Sequence, residues 1–397
     1  MTAFGFASLR APLRGACGPK PRAAASSAVA LLGACLVVFP LSGAAAAGEA
    51  EPLRVGTSGD YAPFSADGEG FDVDAARIVA AELGRQLVLV PFRWPELEAR
   101  VARGDFDIAM SGVTWRPERA VVGRMSLAVA IGGPCWLGAA SPKSVAVNRG
   151  GVLERFARAH FPDARIETVD ANRSLPERLA SGEVEAIVTD SFELRGFARP
   201  GDASHCEPAR DRKVWWIAPA RAADLGPALD RLVRAREPEL EKLRVRWFHA
   251  PEPQDEADRV VDLLARRLAF MPAVGAWKRA HGRPIEDPAQ EARVLEGVAA
   301  RAKALGLDPA AARALFALQI DLAKRIQSRA AAGAATLDLE SQLRPALAEL
   351  SDRQLEALAL AAPIDSTALD SATLEPLHEW LEPAEVADLA RAISGIR

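Results

Sequence analysis

A stripe of six residues in the middle of the chain limits its fold more than any other feature. Val260, Leu264, Arg267, Met271, Val274 and Lys278 follow one another in steps of four, three, four, three and four, the spacing that gathers side chains on one buried face of a helix. Two of these six are cations, where a plain core helix would carry apolar groups. Arg267 and Lys278 stand eleven residues apart, about three turns and roughly 16 Å along a helix axis, and point the same way, so their long side chains can converge on one anion. A single cation at a helix edge usually covers apolar surface with its stem and keeps its charge in water. Here, however, the pattern continues. Pro284, Ile285, Glu286, Asp287 and Pro288 make a turn into a new helix with Glu291 in its first turn, and Phe316, Ile320, Ala323 and Gln327 form another face that again ends on a polar group.

Arg267 in its RRL, Lys278, the PIED turn and the run LFALQIDLAKRIQ together resemble the exported, all-helical class of chorismate mutases, over about residues 255–360. Their reaction, chorismate to prephenate, is a unimolecular rearrangement without nucleophile or proton transfer. A protein can speed it by holding two carboxylates in a compact conformer and by meeting the charge that grows on the breaking ether oxygen. The resemblance implies that Arg267 binds a carboxylate, that Lys278 faces the ether oxygen and that Gln327 is its amide partner. It also implies that Asp287 and Glu291 contact the substrate hydroxyl and neighbouring groups, and that Arg344 completes the site from a later helix of the same chain. An amide at 327 donates at any ordinary pH, unlike a carboxylate. Two positions depart from the family: Gln290 stands where relatives often have Arg, and Ala323 where they have Ser or Thr, which implies weaker substrate binding rather than lost chemistry.

The earlier half alternates strands with helices. Leu53–Thr57, Leu87–Pro91 and the run from Asp107 to Gly112 read as strands, with a helix opened by Gly70-Phe71-Asp72-Val73-Asp74 and a short one after Trp94-Pro95, the order of a parallel α/β sheet. The segments GDYAPF, GFDVD, RWPEL, GDFDIAMSGVTWRPER and IVTDSFELR resemble the extracytoplasmic solute-binding fold for amino acids, and more narrowly the cyclohexadienyl dehydratases built on it, over about 53–248. The expected fold class is thus a two-lobed α/β periplasmic solute-binding fold, type II-like, followed by an all-α chorismate mutase domain. One lobe would hold 53–132 and the tail after 221, the other 143–214. Ile131 to Ala139 and Trp215 to Ala218 would cross between them.

Dehydratases of this kind take prephenate, or arogenate, to an aromatic product by loss of CO2 and water, so the enzyme need only protonate the departing hydroxyl. Glu193, just beyond the strand that ends in Thr189-Asp190, stands where they carry their acid, which must stay protonated near neutral pH. The plain alternative is a glutamate complementing a helix start. The resemblance further implies that Arg119 clamps a ligand carboxylate and that Ser111 and Thr114 donate to it. Asp60, Tyr61, Phe64 and Trp94 would wall the pocket, with Asn148 and Gly150 facing them from the other lobe. Val152 departs, since relatives have a hydroxyl there. A competing reading is an amino-acid-binding protein that only captures ligand, fused to a mutase. That protein would use Asp190 for the ligand amine and need no acid at 193.

Residues 1–47 hold Arg10, Arg14, Lys20 and Arg22, no acidic group, and an apolar run from Ala28 to Leu41 before Ala44 to Ala47, which reads as an export leader. The run is too short for the roughly twenty residues of a membrane span. A periplasmic or secreted mature protein is therefore expected, divided into 48–250, a linker at 251–256 around Pro251 and Pro253, and 257–397. The net charge of −4 would fall to about −8 without the leader's four cations, so neither nucleic acid nor an anionic membrane surface is an expected partner, and local cations must supply any anion site. The partners expected are small molecules, chorismate and prephenate, with arogenate as a further substrate. Past the leader only Cys135 and Cys206 remain. In an oxidising compartment they would pair and stabilise by roughly 4 kcal/mol on a chain-entropy view, or else stay as two buried thiols. No metal or other cofactor is expected, since the five histidines have no short paired spacing. Helices are expected at 256–281, broken near Met271-Pro272, and at 286–304, 309–330, 342–361 and 374–394, with an Ala-rich connection over 330–336.

Overall fold

A computed structural model describes residues 51–249, 254–330 and 336–397. The expected leader, much of the linker and most of the Ala-rich connection lie outside the described residues. The first lobe is built on Leu53–Thr57, which pairs in parallel with Leu87–Pro91 on one side and Ile108–Ala109 on the other. Val55 and Leu53 are fully buried there, and the Phe71–Glu82 helix covers the sheet with Phe71, Ala75, Ala76 and Val79. A second, five-stranded sheet runs in the order Ser204–Cys206, Pro134–Gly138, Ala186–Asp190, Ser144–Asn148, Arg165–Val169. Its central strand, Ala186–Asp190, is buried along its whole length, as expected of a strand covered on both faces. Cys135 and Cys206 face each other on its neighbouring antiparallel strands and are joined by a disulfide.

The crossing between the lobes differs from the expected one. Ala130–Gly132 pairs antiparallel with Asp211–Lys213, so the return to the first lobe comes earlier than Trp215 to Ala218. Trp216–Ile217 is already an edge of the first sheet, antiparallel to Ile108–Ala109. The physical reason is the tryptophans: Trp215 and Trp216 are both fully buried, and the Trp215 indole N–H donates to Asp72 at 2.8 Å, which anchors this segment in the first lobe's core.

The helical half begins at Glu256–Ala269, capped by Asp255 and Asp258 reciprocally, and breaks at Pro272 into Met271–Ala280. Pro288–Ala304, Pro309–Arg329 and Arg344–Ala361 follow. The expected single helix over 374–394 is instead the short segments Ser371–Leu374 and Glu375–Glu379 and a final helix Pro383–Ser394; Pro383 fits only a first turn, so it starts a helix rather than continuing one. Gly275 lets two helices meet, for a Cβ there would lie 2.4 Å from the Gln327 carbonyl.

One buried apolar cluster runs from Leu53 and Trp216 through Leu232 to Leu264 and Ile393, so the helical half packs directly on the first lobe. Polar contacts reinforce it. Arg353 donates to Asp230 at 3.0 Å and to the Met125 carbonyl at 2.9 Å, Arg266 to the Ser126 carbonyl at 2.9 Å, and Arg212 to Asp262 at 2.8 Å.

Candidate functional site

Two cavities collect the candidate residues. In the helical half a cavity of about 340 Å³ is lined from the five helices between Glu256 and Ala361. The stripe read from the sequence supplies Arg267, Met271, Val274 and Lys278, the Pro309–Arg329 helix Ile320, Ala323 and Gln327, and the later helix Arg344. Gln290, Asp287 and Glu291 line it as well.

Arg267 is 7% exposed. Its guanidinium donates to the Ser351 hydroxyl at 3.2 Å and lies 5.7 Å from the Phe316 ring centroid, but among the described residues it meets no carboxylate. Burial alone pulls it down to about 10 from its ordinary, higher value, the sign of a charge held without a counterion. Lys278 donates to the Ile285 carbonyl at 2.5 Å. Burial lowers its ammonium, an effect that Asp287 and Glu291 offset only in part. The Gln327 Oε1 is buried without a partner and its Nε2 reaches only the Met271 sulfur at 3.4 Å, so turning the amide over costs little and presents its N–H groups to the cavity. Asp287 caps the Pro288–Ala304 helix through the Gln290 N–H and meets Arg344 at 3.5 Å. Glu291 accepts from the Asp287 N–H and from Lys324 at 3.3 Å.

The second cavity, about 60 Å³, lies between the lobes, lined by Tyr61, Trp94, Thr114, Arg119, Asn148 and Val152 with Asn172 and Lys213. Arg119 is buried, donates to the Thr114 carbonyl at 3.1 Å and meets Glu98 at 3.2 Å. Glu193, 3% exposed, is not in this lining; it borders a separate cavity with Pro63, Phe192 and Phe248 and is joined to this one through Asn172. Its carboxyl meets Thr189 Oγ1 at 2.8 Å and accepts from Asn172 Nδ2 at 2.9 Å. Burial first, and the Asp190 carboxylate second, push Glu193 well above the ordinary 4.5. The neighbouring Asp190 goes the other way. Burial would raise it, but the Lys213 ammonium at 2.9 Å and the Tyr61 hydroxyl outweigh that and hold it below 3.8. Two carboxyls three residues apart are thus driven to opposite charge states, the arrangement by which one fold keeps an acid protonated beside an ionised group.

Several expected contacts lie off this cavity. Ser111 is fully buried, its hydroxyl taken by the Ser58 N–H and by Ser65. Phe64 packs among Phe71, Phe192 and Phe248, a layer behind the wall. The Gly150 N–H donates to Glu154 at 2.7 Å, and the neighbouring Gly151 and Val152 form the lining instead. Asp60 also stands outside the lining, with a buried Oδ1 that has no partner. Asp190 is committed to Lys213 and Tyr61 and to the backbone N–H groups of Phe192 and Glu193.

Lys213 was missed from the sequence, although it is the hub of this site. It is 4% exposed and donates to Tyr61 at 2.8 Å, Thr114 at 3.2 Å and Asp190 at 2.9 Å. The available signal was a lysine in step with Trp215 and Ile217, two positions apart each time, which marks one face of a buried strand. Asn172 left no such trace. In the helical half Ser351 and Lys324 were missed; Ser351 lies seven residues past Arg344 on one face, a spacing open to detection.

Residues 255–328 match the family described as chorismate mutase type II, and residues 53–250 match bacterial extracellular solute-binding proteins, family 3. Cyclohexadienyl dehydratase of Pseudomonas aeruginosa is 36% identical over 166 residues, which is 37% of this chain and 62% of that protein; the chain thus spans less than two thirds of that relative. Secreted chorismate mutase of Yersinia pestis is 31% identical over 150 residues, 36% of this chain and 72% of that protein. Among solved structures, an ancestral amino acid-binding protein, a precursor of cyclohexadienyl dehydratase, is 29% identical with a TM-score of 0.46, covering 50% of this chain and 95% of that one.

Proposed function

The chain belongs to the type II chorismate mutases through its helical half and to the family 3 solute-binding proteins through its two-lobed half, and on that premise we propose that it converts chorismate to prephenate and then prephenate to phenylpyruvate, with arogenate as a further substrate. The two activities divide at the linker, 251–256. The observation that carries this reading is the contrast between the two sites: the first holds the buried Arg267 and the half-buried Lys278, neither within salt-bridge distance of a carboxylate among the described residues, and behind the second lies a buried acid kept neutral.

In the first step Arg267 pairs with a substrate carboxylate, and the substrate supplies the counterion that the protein does not. Lys278 and the Gln327 amide face the ether oxygen, where negative charge grows as the C–O bond breaks, and the cost of orienting them has been met during folding. Arg344, Asp287 and Glu291 shape the rim, Arg344 being already shared with acidic neighbours. In the second step Arg119 holds the prephenate anion between the lobes, with Thr114, Tyr61, Trp94 and Asn148 around it, and Lys213 keeps Tyr61, Thr114 and Asp190 in place. Protonated Glu193 gives its proton to the departing hydroxyl, which leaves as water while the ring carboxylate leaves as CO2 and the ring becomes aromatic. Asn172 and Thr189 fix the acid's direction. The capture-only reading is disfavoured by Asp190, whose oxygens are already taken by Lys213, Tyr61 and two backbone N–H groups and so are not free for an ammonium. We place the mature protein outside the cytoplasm, in keeping with the secreted and extracellular character of its relatives.

The decisive experiment offers purified protein each substrate in turn. Glu193→Gln should abolish prephenate consumption and spare chorismate rearrangement, and Lys278→Ala should do the reverse. Turnover of prephenate at the parental rate by Glu193→Gln would remove the acid assignment, and concurrent loss of both activities in Lys278→Ala would make that lysine structural.

A further inference from the structure

Six cations line the cavity of the helical half: Arg267, Lys278, Arg293, Arg301, Lys324 and Arg344. A bound dianion most readily engages those that have no ion pair to break. Arg301 meets Glu356 at 2.7 Å, Lys324 meets Asp321 at 3.0 Å and Glu291 at 3.3 Å, and Arg344 meets Asp287 and Glu340. Among the described residues, Arg267, Lys278 and Arg293 have no carboxylate within salt-bridge distance. Arg293 is held in another way. The Gln290 side-chain oxygen accepts from its Nε at 3.2 Å and from its Nη2 at 2.7 Å, which fixes one edge of the planar guanidinium. The opposite edge, Nη1 with the second Nη2 hydrogen, stays available, and that edge matches a carboxylate bidentately.

We propose that Arg293, clamped by Gln290, binds the second carboxylate of chorismate, the one that Arg267 does not take. This rests on the mutase reading and deepens it. The resemblance to the exported mutases implies an arginine where Gln290 stands, and Arg293 follows it by three residues, roughly 4.5 Å further along the same helix face, a displacement that a long side chain spans. The missing charge is therefore restored one turn on, and the amide becomes the positioning residue for it. The expectation of weak substrate binding that Gln290 suggested no longer follows.

Arg293 is exposed at the mouth of the cavity and among the described residues its only side-chain partner is Gln290, so its replacement should leave the fold intact. With the full chain and chorismate as substrate, Arg293→Ala should raise KM by about 10- to 100-fold, the range for losing one charge-assisted contact, with kcat changed far less and prephenate turnover unaltered. Gln290→Ala should raise KM by a smaller factor, and Arg293→Lys should recover only part, since an ammonium cannot be held along one edge and bind along the other. Adding Gln290→Arg to Arg293→Ala should bring KM back toward the parental value, a rescue that a structural role would not give. An unchanged KM in Arg293→Ala overturns the proposal while chorismate rearrangement by the parent still stands; a parent that leaves chorismate untouched overturns the mutase reading itself. Should Arg293→Ala lose prephenate turnover as well, the milder Arg293→Gln decides by the same KM criterion.

Discussion

Replacing Arg267 with methionine should make the protein more stable and at the same time inactive toward chorismate. The guanidinium is 7% exposed and held near 10, below its ordinary value, by burial alone, a difference worth about 3 kcal/mol of unfavourable charge burial. Against that cost stand one hydrogen bond from Arg267 to the Ser351 hydroxyl at 3.2 Å, about 1 kcal/mol, and the face of Phe316 at 5.7 Å, about 1 kcal/mol. Methionine fills similar volume without a charge, so the net gain is about 1 kcal/mol, or about 2–4 °C in Tm. Chorismate turnover should meanwhile fall by at least about a hundredfold in kcat/KM, because the lost contacts are charge-assisted ones. Thermal unfolding followed by circular dichroism and the disappearance of chorismate absorbance measure the two effects on one sample. A variant that melts several degrees below the parent would mean that Arg267 is a structural cation, and one that keeps the parental turnover would mean that the cavity does not work as described.

Other expectations follow from the same groups. Glu193 has its folded-state value raised above the ordinary 4.5, so its contribution to stability is fully present below about that pH and is lost as pH rises toward the folded value; prephenate turnover should decline on the alkaline side with the same group, and a flat pH profile in the parent would contradict this. Asp72, raised to about 6 by burial, should add a loss of stability between about pH 4 and 6, which Asp72→Asn removes. Lys213→Met should leave Asp190 as a buried unpaired carboxylate and destabilise by about 3–5 kcal/mol, with denaturant unfolding as the check and a change under 1 kcal/mol as the refutation. Gly297 lines the first cavity with nothing within 4 Å of an added Cβ, so Gly297→Ala should stabilise by up to about 1 kcal/mol, whereas Gly297→Phe should block chorismate and spare prephenate. Reducing the Cys135–Cys206 bond, which spans 71 residues, should cost about 4 kcal/mol, read from the shift in denaturant midpoint.

How much was legible in the sequence depended on how local the cause was. Arg267, Lys278 and Gln327 were readable because helical periodicity alone puts them on inward faces, and the cavity forms where those faces meet. Ser111 and Gly150 were not, since the direction of the Ser111 hydroxyl is set by Ser58 and Ser65, forty-six or more positions away, and the Gly150 N–H by a glutamate that the helix after it presents. Lys213 escaped because its meaning arises from pairing across the hinge: it gains Tyr61 and Asp190 only once both lobes are assembled. The same holds for the early crossing at Asp211–Lys213, which the burial of Trp215 and Trp216 determines, with Trp215 bonded to Asp72. Arg293 carries no signal in the helical periodicity, because what sets it apart is that most of the charges around it are paired with carboxylates.

The central claim is that one polypeptide carries chorismate through to phenylpyruvate. Chorismate labelled with carbon-13 in its ring carboxylate, supplied alone at neutral pH and followed by NMR beside an enzyme-free control, tests it most directly. The label should leave as carbon dioxide while unlabelled phenylpyruvate accumulates; label retained in prephenate, or left in chorismate, would contradict a two-step conversion on one chain.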